Sequence, residues 1–195
     1  MCSSDLGHKS RLAGGCILAG GLAGFLSGTF HIHDIVGDLE GQPHLETAGA
    51  HLLDHRGALP AKDRARAAAD GGVVAVLEPL NTKVDHAGYF LDHAVDAFRL
   101  VREINAPALR VLYDIYHMQI MDGDLIATIE ANLDLISHFH VADVPGRHEP
   151  GTGEINYANV FRRIDAAGYA GFVGLEFRPS GDHDAALASV RALVA

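Results

Sequence analysis

The chain has 195 residues, enough for one domain with a real core or for two small ones. Its 15 Lys and Arg face 25 Asp and Glu, a formal charge of −10 with no basic cluster, so a nucleic-acid surface is excluded and small molecules or cations are the expected partners. The 2 cysteines, Cys2 and Cys16, both lie near the start, which leaves no disulfide framework and no cysteine metal site and fits a reducing cytoplasm.

Residues 1–72 show no regular pattern. The opening "MCSSDL" has the form that a common sequencing adapter encodes when read from a GTG start. The reading frame is therefore expected to begin at an artificial sequence end, and the chain to be a truncated copy. "LAGGCILAGGLAGFLSGTF" (12–30) is uncharged and loaded with Gly and Ala, and it follows Lys9 and Arg11. Its length is marginal for a membrane span and its glycines weaken a helix, so a buried or poorly formed segment is expected, not an anchor or a signal peptide. "HIHDIVGDLEGQPH" (31–44) reads as a strand and loop. Its His-x-His pair stands outside any regular pattern and is not taken as a site. "AKDRARAAADGG" (61–72) reads as the end of a helix.

Residues 73–195 alternate regularly. "VVAVLEPL" (73–80), "LRVLYDI" (109–115), "ISHFHVADV" (136–144) and "GFVGLEF" (171–177) are short runs rich in Val, Ile and Leu. They read as parallel strands buried on both faces. Between them lie helical patterns. In "DHAVDAFRLVREI" (92–104), Ala94, Phe98 and Val101 share a face. In "DLIATIEANLDLI" (124–136), Ile126, Ile129, Leu133 and Ile136 do the same. "YANVFRRIDAAGY" (157–169) presents Val160, Phe161 and Ile164, with Gly168 suited to a C-terminal cap. "DAALASVRALVA" (184–195) closes the chain. Four βα units in succession predict a parallel α/β sheet with right-handed crossovers.

Glu78, Asp114, Asp143 and Glu176 fall at or near the ends of these strands, and His140 lies inside the third. The steps from Glu78 to Asp114, Asp114 to His140 and His140 to Glu176 are 36, 26 and 36 residues. A (β/α)₈ barrel uses about 31 residues per unit and builds its active site at the C-terminal strand ends. The chain therefore reads as the C-terminal half of a TIM barrel (73–195) behind an irregular N-terminal segment (1–72), too short for four further units.

Glu78, Asp114, His140 and Glu176 make an oxygen-rich set with one imidazole, suited to Mg²⁺ or Mn²⁺ and less to Zn²⁺. Two glutamates beside one metal can also move a proton between neighbouring carbons while the metal polarises the carbonyl and hydroxyl oxygens of an enediolate. Helix caps and salt bridges would explain one such acid, but they explain four in succession poorly. His117 is placed either to reach a substrate oxygen or to bond a loop carbonyl. Arg147 and His148 open the glycine-punctuated loop "VPGRHEPGTGEINY" (144–157). Arg147 is either a bidentate clamp for a carboxylate or the partner of Glu149 or Glu154. Asn81 and Tyr89 are weaker candidates, Asn81 being often a turn residue. No Walker loop, G-x-G-x-x-G or G-x-S-x-G element occurs.

"LEPLN", "GYFL", "YDIYHMQIMDGDL", "HVADVPGRHEPGTGEINY", "GYAGFVGLEF" and "PSGD" together resemble the hydroxypyruvate isomerase family, within the wider xylose-isomerase-like TIM-barrel group. The resemblance covers residues 73 to about 190, and "ADVPGRHEPGTGEINY" is its most specific block. It implies an intramolecular oxidoreductase that interconverts hydroxypyruvate and tartronate semialdehyde. It also implies a divalent metal on Glu78, Asp114, His140 and Glu176, with Glu78 and Glu176 as proton donor and acceptor. His117, Arg147, His148 and Asn81 are the candidate substrate contacts. Gln is usual at the position of His140 in this family and His in related sugar epimerases, so 2-oxo-tetronate isomerisation and sugar epimerisation stand as alternatives. A metal-dependent nuclease of the same fold would need further ligands and a DNA surface, against the charge. Residues 1–72 resemble no quoted block of the family's first half, although "AAADGGVVAVLEPLN" resembles the approach to its fifth strand. The sheet edges beside 73–80 and 171–177 are therefore expected to be open, which favours self-association, and an inactive half-barrel is the alternative to an enzyme.

Overall fold

Short runs that are apolar at nearly every residue pair here as parallel strands, in a computed structural model that describes residues 11–13, 29–31 and 61–194. The strands are β1 (Arg11–Ala13), β2 (Thr29–His31), β3 (Val74–Leu77), β4 (Leu109–Asp114), β5 (Ile136–Val141) and β6 (Phe172–Leu175). They form one sheet in the order β1-β6-β5-β4-β3-β2, every pair parallel. The helices are α1 (Ala61–Asp70), α2 (Ala94–Ile104), α3 (Ile115–Met121), α4 (Leu125–Asn132), α5 (Tyr157–Ala166) and α6 (His183–Ala192). The four strands read from the sequence, each followed by a helix, are thus the middle of the sheet.

Open edges were expected beside β3 and β6, and the structure differs. The three-residue strand β2 pairs along β3, and β1 along β6. The adapter-like opening, most of the apolar 12–30 run and the rest of the His-x-His pair lie outside the described residues. Among the described residues, no helix is long and apolar enough to cross a membrane.

Alternation along the strands sorts the core from the site. Leu109, Val111 and Tyr113 of β4, Phe139 and Val141 of β5 and Val173 of β6 join the main apolar cluster with Phe98, Ile129, Val160 and Ile164 from the helices. Phe98 stacks on Tyr113 with ring centroids 6.2 Å apart. Residues one position away face the other side of the sheet. On that side lie Leu112 and Asp114, then His138 and His140, then Gly174, and the register pairs Asp114 with His140 and His140 with Gly174.

Two helical expectations change. The helix read over 124–136 stops at Asn132 and a 3₁₀ turn spans Leu133–Leu135, while Ile136 opens β5, as the strand read over 136–144 has it. β-branched Ile136 takes a sheet partner, Val111, in place of a helical neighbour. Helix α3 was not foreseen. Asp114, the last residue of β4, is its N-cap and accepts a hydrogen bond from the Tyr116 N–H at 2.9 Å.

Candidate functional site

The sheet brings the predicted acids together. Glu78 and Glu176 lie just past the ends of β3 and β6, and Asp114 closes β4. One ligand atom each from Glu78, Asp114, Glu176 and His117 lie within 4.8 Å of one another. His140 borders the same group: its Nδ1 is 3.7 Å from Glu78 Oε1 and 3.4 Å from Glu176 Oε2. Glycine is required opposite it. A Cβ on Gly174 would stand 2.7 Å from His140 Cδ2 and 3.0 Å from His138 Nε2.

Crowding of buried carboxylates governs the electrostatics. Burial, reinforced by the charge of Glu78, pushes Asp114 up to about 8. Burial works against the charged form of His140, but its pairing with the nearby Glu176 and Glu78 carboxylates prevails and carries it up to about 10. Burial also opposes ionisation of Glu176, and His140 and Arg147 overcome it and hold that carboxyl well below the usual range. His117 moves the other way: burial first, then the Arg147 charge, lower it to about 3.

Arg147 is ion-paired with neither Glu149 nor Glu154. Its guanidinium donates to Glu176 Oε2 at 2.6 Å, lies 3.9 Å from Asp85 Oδ2 and sits 5.1 Å from the Tyr116 ring centroid. Glu149 accepts instead from the N–H and hydroxyl of Ser180, at 2.8 and 2.6 Å. His148 is engaged through Nδ1 with the Arg178 carbonyl at 2.7 Å, which ties the loop after β5 to the segment after β6.

Asp143 is buried and organises that same loop. Its carboxylate accepts from the N–H groups of Val144, Gly151 and Ile155 at 2.9, 2.8 and 3.1 Å. A Cβ at Gly153 would stand 2.6 Å from that carboxylate and 2.1 Å from the Val144 carbonyl, so only glycine fits.

Asn81, expected as a substrate contact, is fully buried and occupied within the chain. Its Oδ1 accepts from the N–H groups of Val84 and Asp85 at 3.0 and 2.9 Å. Its Nδ2 donates to Asp85 Oδ2 at 2.8 Å and lies 2.6 Å from His117 Nδ1. Tyr89 is half-buried against the apolar core. Asp85 and Tyr116 escaped sequence reasoning. The Tyr116 hydroxyl donates to Asp85 Oδ2 at 2.8 Å across 31 positions, which no local signal announces.

Residues 58–194 match the model of a family described as xylose isomerase-like TIM barrel. The 2-oxo-tetronate isomerase of Cupriavidus necator is 42% identical over 123 residues, 63% of this chain and 47% of that protein. The hydroxypyruvate isomerase of Escherichia coli is 40% identical over 115 residues, 59% of this chain and 44% of that protein. A solved structure named AP endonuclease, family 2, from Brucella melitensis superposes with a TM-score of 0.64 at 41% identity, covering 67% of this chain and 50% of its own. The chain spans about half the length of the curated relatives it matches.

Proposed function

This chain belongs to the xylose isomerase-like TIM-barrel family, and from that premise we propose that it carries the proton-transfer site of an isomerase of small hydroxy-oxo-acids, of the hydroxypyruvate–tartronate semialdehyde kind. The observation that supports this reading is the meeting of Glu78, Asp114 and Glu176 at one end of the sheet, with His140 Nδ1 between the two glutamates. The C. necator relative, named for 2-oxo-tetronates, extends the substrate class to acids one carbon longer.

Two buried carboxylates, Glu78 and Asp114, and the exposed one of Glu176, with one imidazole, fit a divalent cation, and the hard oxygen donors favour Mg²⁺ or Mn²⁺. The raised Asp114 and the imidazolium drawn between Glu78 and Glu176 are what such a group adopts when protons supply the positive charge. Glu78, Asp114, His140 and Glu176 would hold the ion, which when bound polarises the carbonyl and hydroxyl oxygens of the substrate.

Glu176, held ionised, takes the proton from the hydroxyl-bearing carbon. The electron pair of the broken C–H bond forms the carbon–carbon double bond of the enediolate while the carbonyl π pair moves onto its oxygen. Glu78, protonated from solvent before the step, returns that proton to the neighbouring carbon, the hydroxyl proton passes to the former carbonyl oxygen, and exchange with solvent takes the proton from Glu176 and resets the pair. The reverse reaction exchanges the two roles. Arg147 keeps Glu176 in its charged form and offers a guanidinium to the substrate carboxylate.

The name of the Brucella structure raises a nuclease instead. The formal charge of −10 and the single group of convergent ligand atoms among the described residues oppose a phosphate-backbone surface.

The test is conversion of hydroxypyruvate by the purified chain with Mg²⁺ or Mn²⁺, followed by EDTA. Turnover that needs the metal and stops with the chelator is expected. No turnover from folded, metal-saturated protein would mean that this chain is an inactive half-barrel.

A further inference from the structure

Two imidazoles border the three carboxylates, and the ligand-atom cluster takes in the nitrogen of His117. Its surroundings decide what that nitrogen is. His117 is fully buried. The backbone N–H of Asn81 donates to its Nδ1 at 3.2 Å, and Asn81 Nδ2 lies 2.6 Å from the same atom. The Asn81 amide cannot be turned round, because Oδ1 already accepts from two backbone N–H groups and Nδ2 faces the Asp85 carboxylate. A backbone N–H has no alternative role at all. Both groups that meet Nδ1 are therefore donors, and Nδ1 must present its lone pair. A doubly protonated ring would set N–H against N–H, so the ring is neutral and its proton is on Nε2.

That nitrogen has no hydrogen-bond partner and lies 3.6 Å from Asp114 Oδ2, on the carboxylate side. A nitrogen that carries a proton has no lone pair for a metal.

We propose that Asn81 is a positioning residue that locks His117 as the Nε2–H tautomer, so that this imidazole faces the carboxylate group as a hydrogen-bond donor and not as a metal ligand. The donor is aimed where a substrate oxygen would stand, which rests on the isomerase reading; the tautomer itself does not. Asn81 needs no contact with substrate to act.

The test is a long-range ¹H–¹⁵N correlation spectrum of the full chain labelled at histidine, with the His117 signals assigned by their loss in His117→Gln. The expected spectrum has a bare Nδ1 and a protonated Nε2, unchanged when Mg²⁺ is added. In Asn81→Asp, the carboxylate accepts where the amide donated, and Nδ1 is expected to gain a proton. Asn81→Ala, which keeps the backbone donor, is expected to retain the Nε2–H form while its signals broaden. A bare Nε2 in the wild type, or loss of its proton when Mg²⁺ is added, would overturn the proposal. The spectrum is read on the free protein, so it stands or falls separately from turnover of any substrate.

Discussion

Replacing Glu176 or Glu78 by Gln keeps the shape of the side chain and removes its charge, a ligand oxygen and a proton carrier together. Either change is expected to lower kcat on the order of 10³-fold or more, measured by hydroxypyruvate conversion at saturating metal. Activity near the original rate in either variant would exclude a two-glutamate mechanism. Asp143→Ala tests a different kind of acid. It leaves three backbone N–H groups without their buried acceptor. A loss of about 3 kcal/mol or more is expected, read as a lower urea midpoint, and a loss under about 1 kcal/mol would show that water replaces the carboxylate. Position in the sequence marks both kinds of acid as strand-end residues. Only the partners tell them apart: Asp143 turns to its own loop, while Glu78, Asp114 and Glu176 turn to one another. Asn81 and His117 are 36 positions apart, and nothing short of the fold puts them side by side.

Elements were legible where their burial follows a simple period. Ala94, Phe98 and Val101 of α2 and Val160, Phe161 and Ile164 of α5 are all buried, as their spacing requires. Helix α3 gave no such signal. Its first four residues, Ile115 to Met118, are all buried, so there is no polar face to alternate with an apolar one. What starts it is a cap from Asp114, a residue that the sequence reading assigns to the metal. Helix α2 begins with outside help. Asp122, just beyond α3, accepts from the Ala94 N–H at 2.9 Å and also bonds His93. Asp122→Ala is expected to cost about 1 kcal/mol from the lost cap. The His93 bond adds a pH dependence. Asp122 holds His93 above its ordinary 6.5. The stabilisation is therefore complete below that value and disappears as pH rises through the folded-state value. Urea midpoints of wild type and His93→Ala should differ below pH 6.5 and converge in alkali. A gap that widens with pH would reverse the sign and refute the bond.

For the molecule as a whole, the acidic group is a reservoir of unfavourable charge that a cation relieves. Mg²⁺ or Mn²⁺ at about 100 times its Kd should stabilise the fold by about 2.7 kcal/mol. A raised Tm that EDTA reverses, and that Glu176→Gln abolishes, is the expected result. A Tm indifferent to either ion would show that the carboxylates are met by protons alone. The α/β class, the parallel order and the half-barrel were legible because buried parallel strands write themselves as continuous apolar runs. The pairing of β1 and β2 along the outer edges was not, since three residues carry too little pattern to be read as a strand.

The loop after β5 has one more consequence. Asp143 gathers amides from both ends of it, while His148 and Glu149 fasten it to Arg178 and Ser180 beyond β6. A surface loop held this way is expected to open as rarely as a strand. In deuterated solvent the amides of Val144, Gly151 and Ile155 should keep their protons as long as those of β5 do. Arg147 and Glu176 would then travel as one body, so substrate would meet a jaw already set and not one that closes around it.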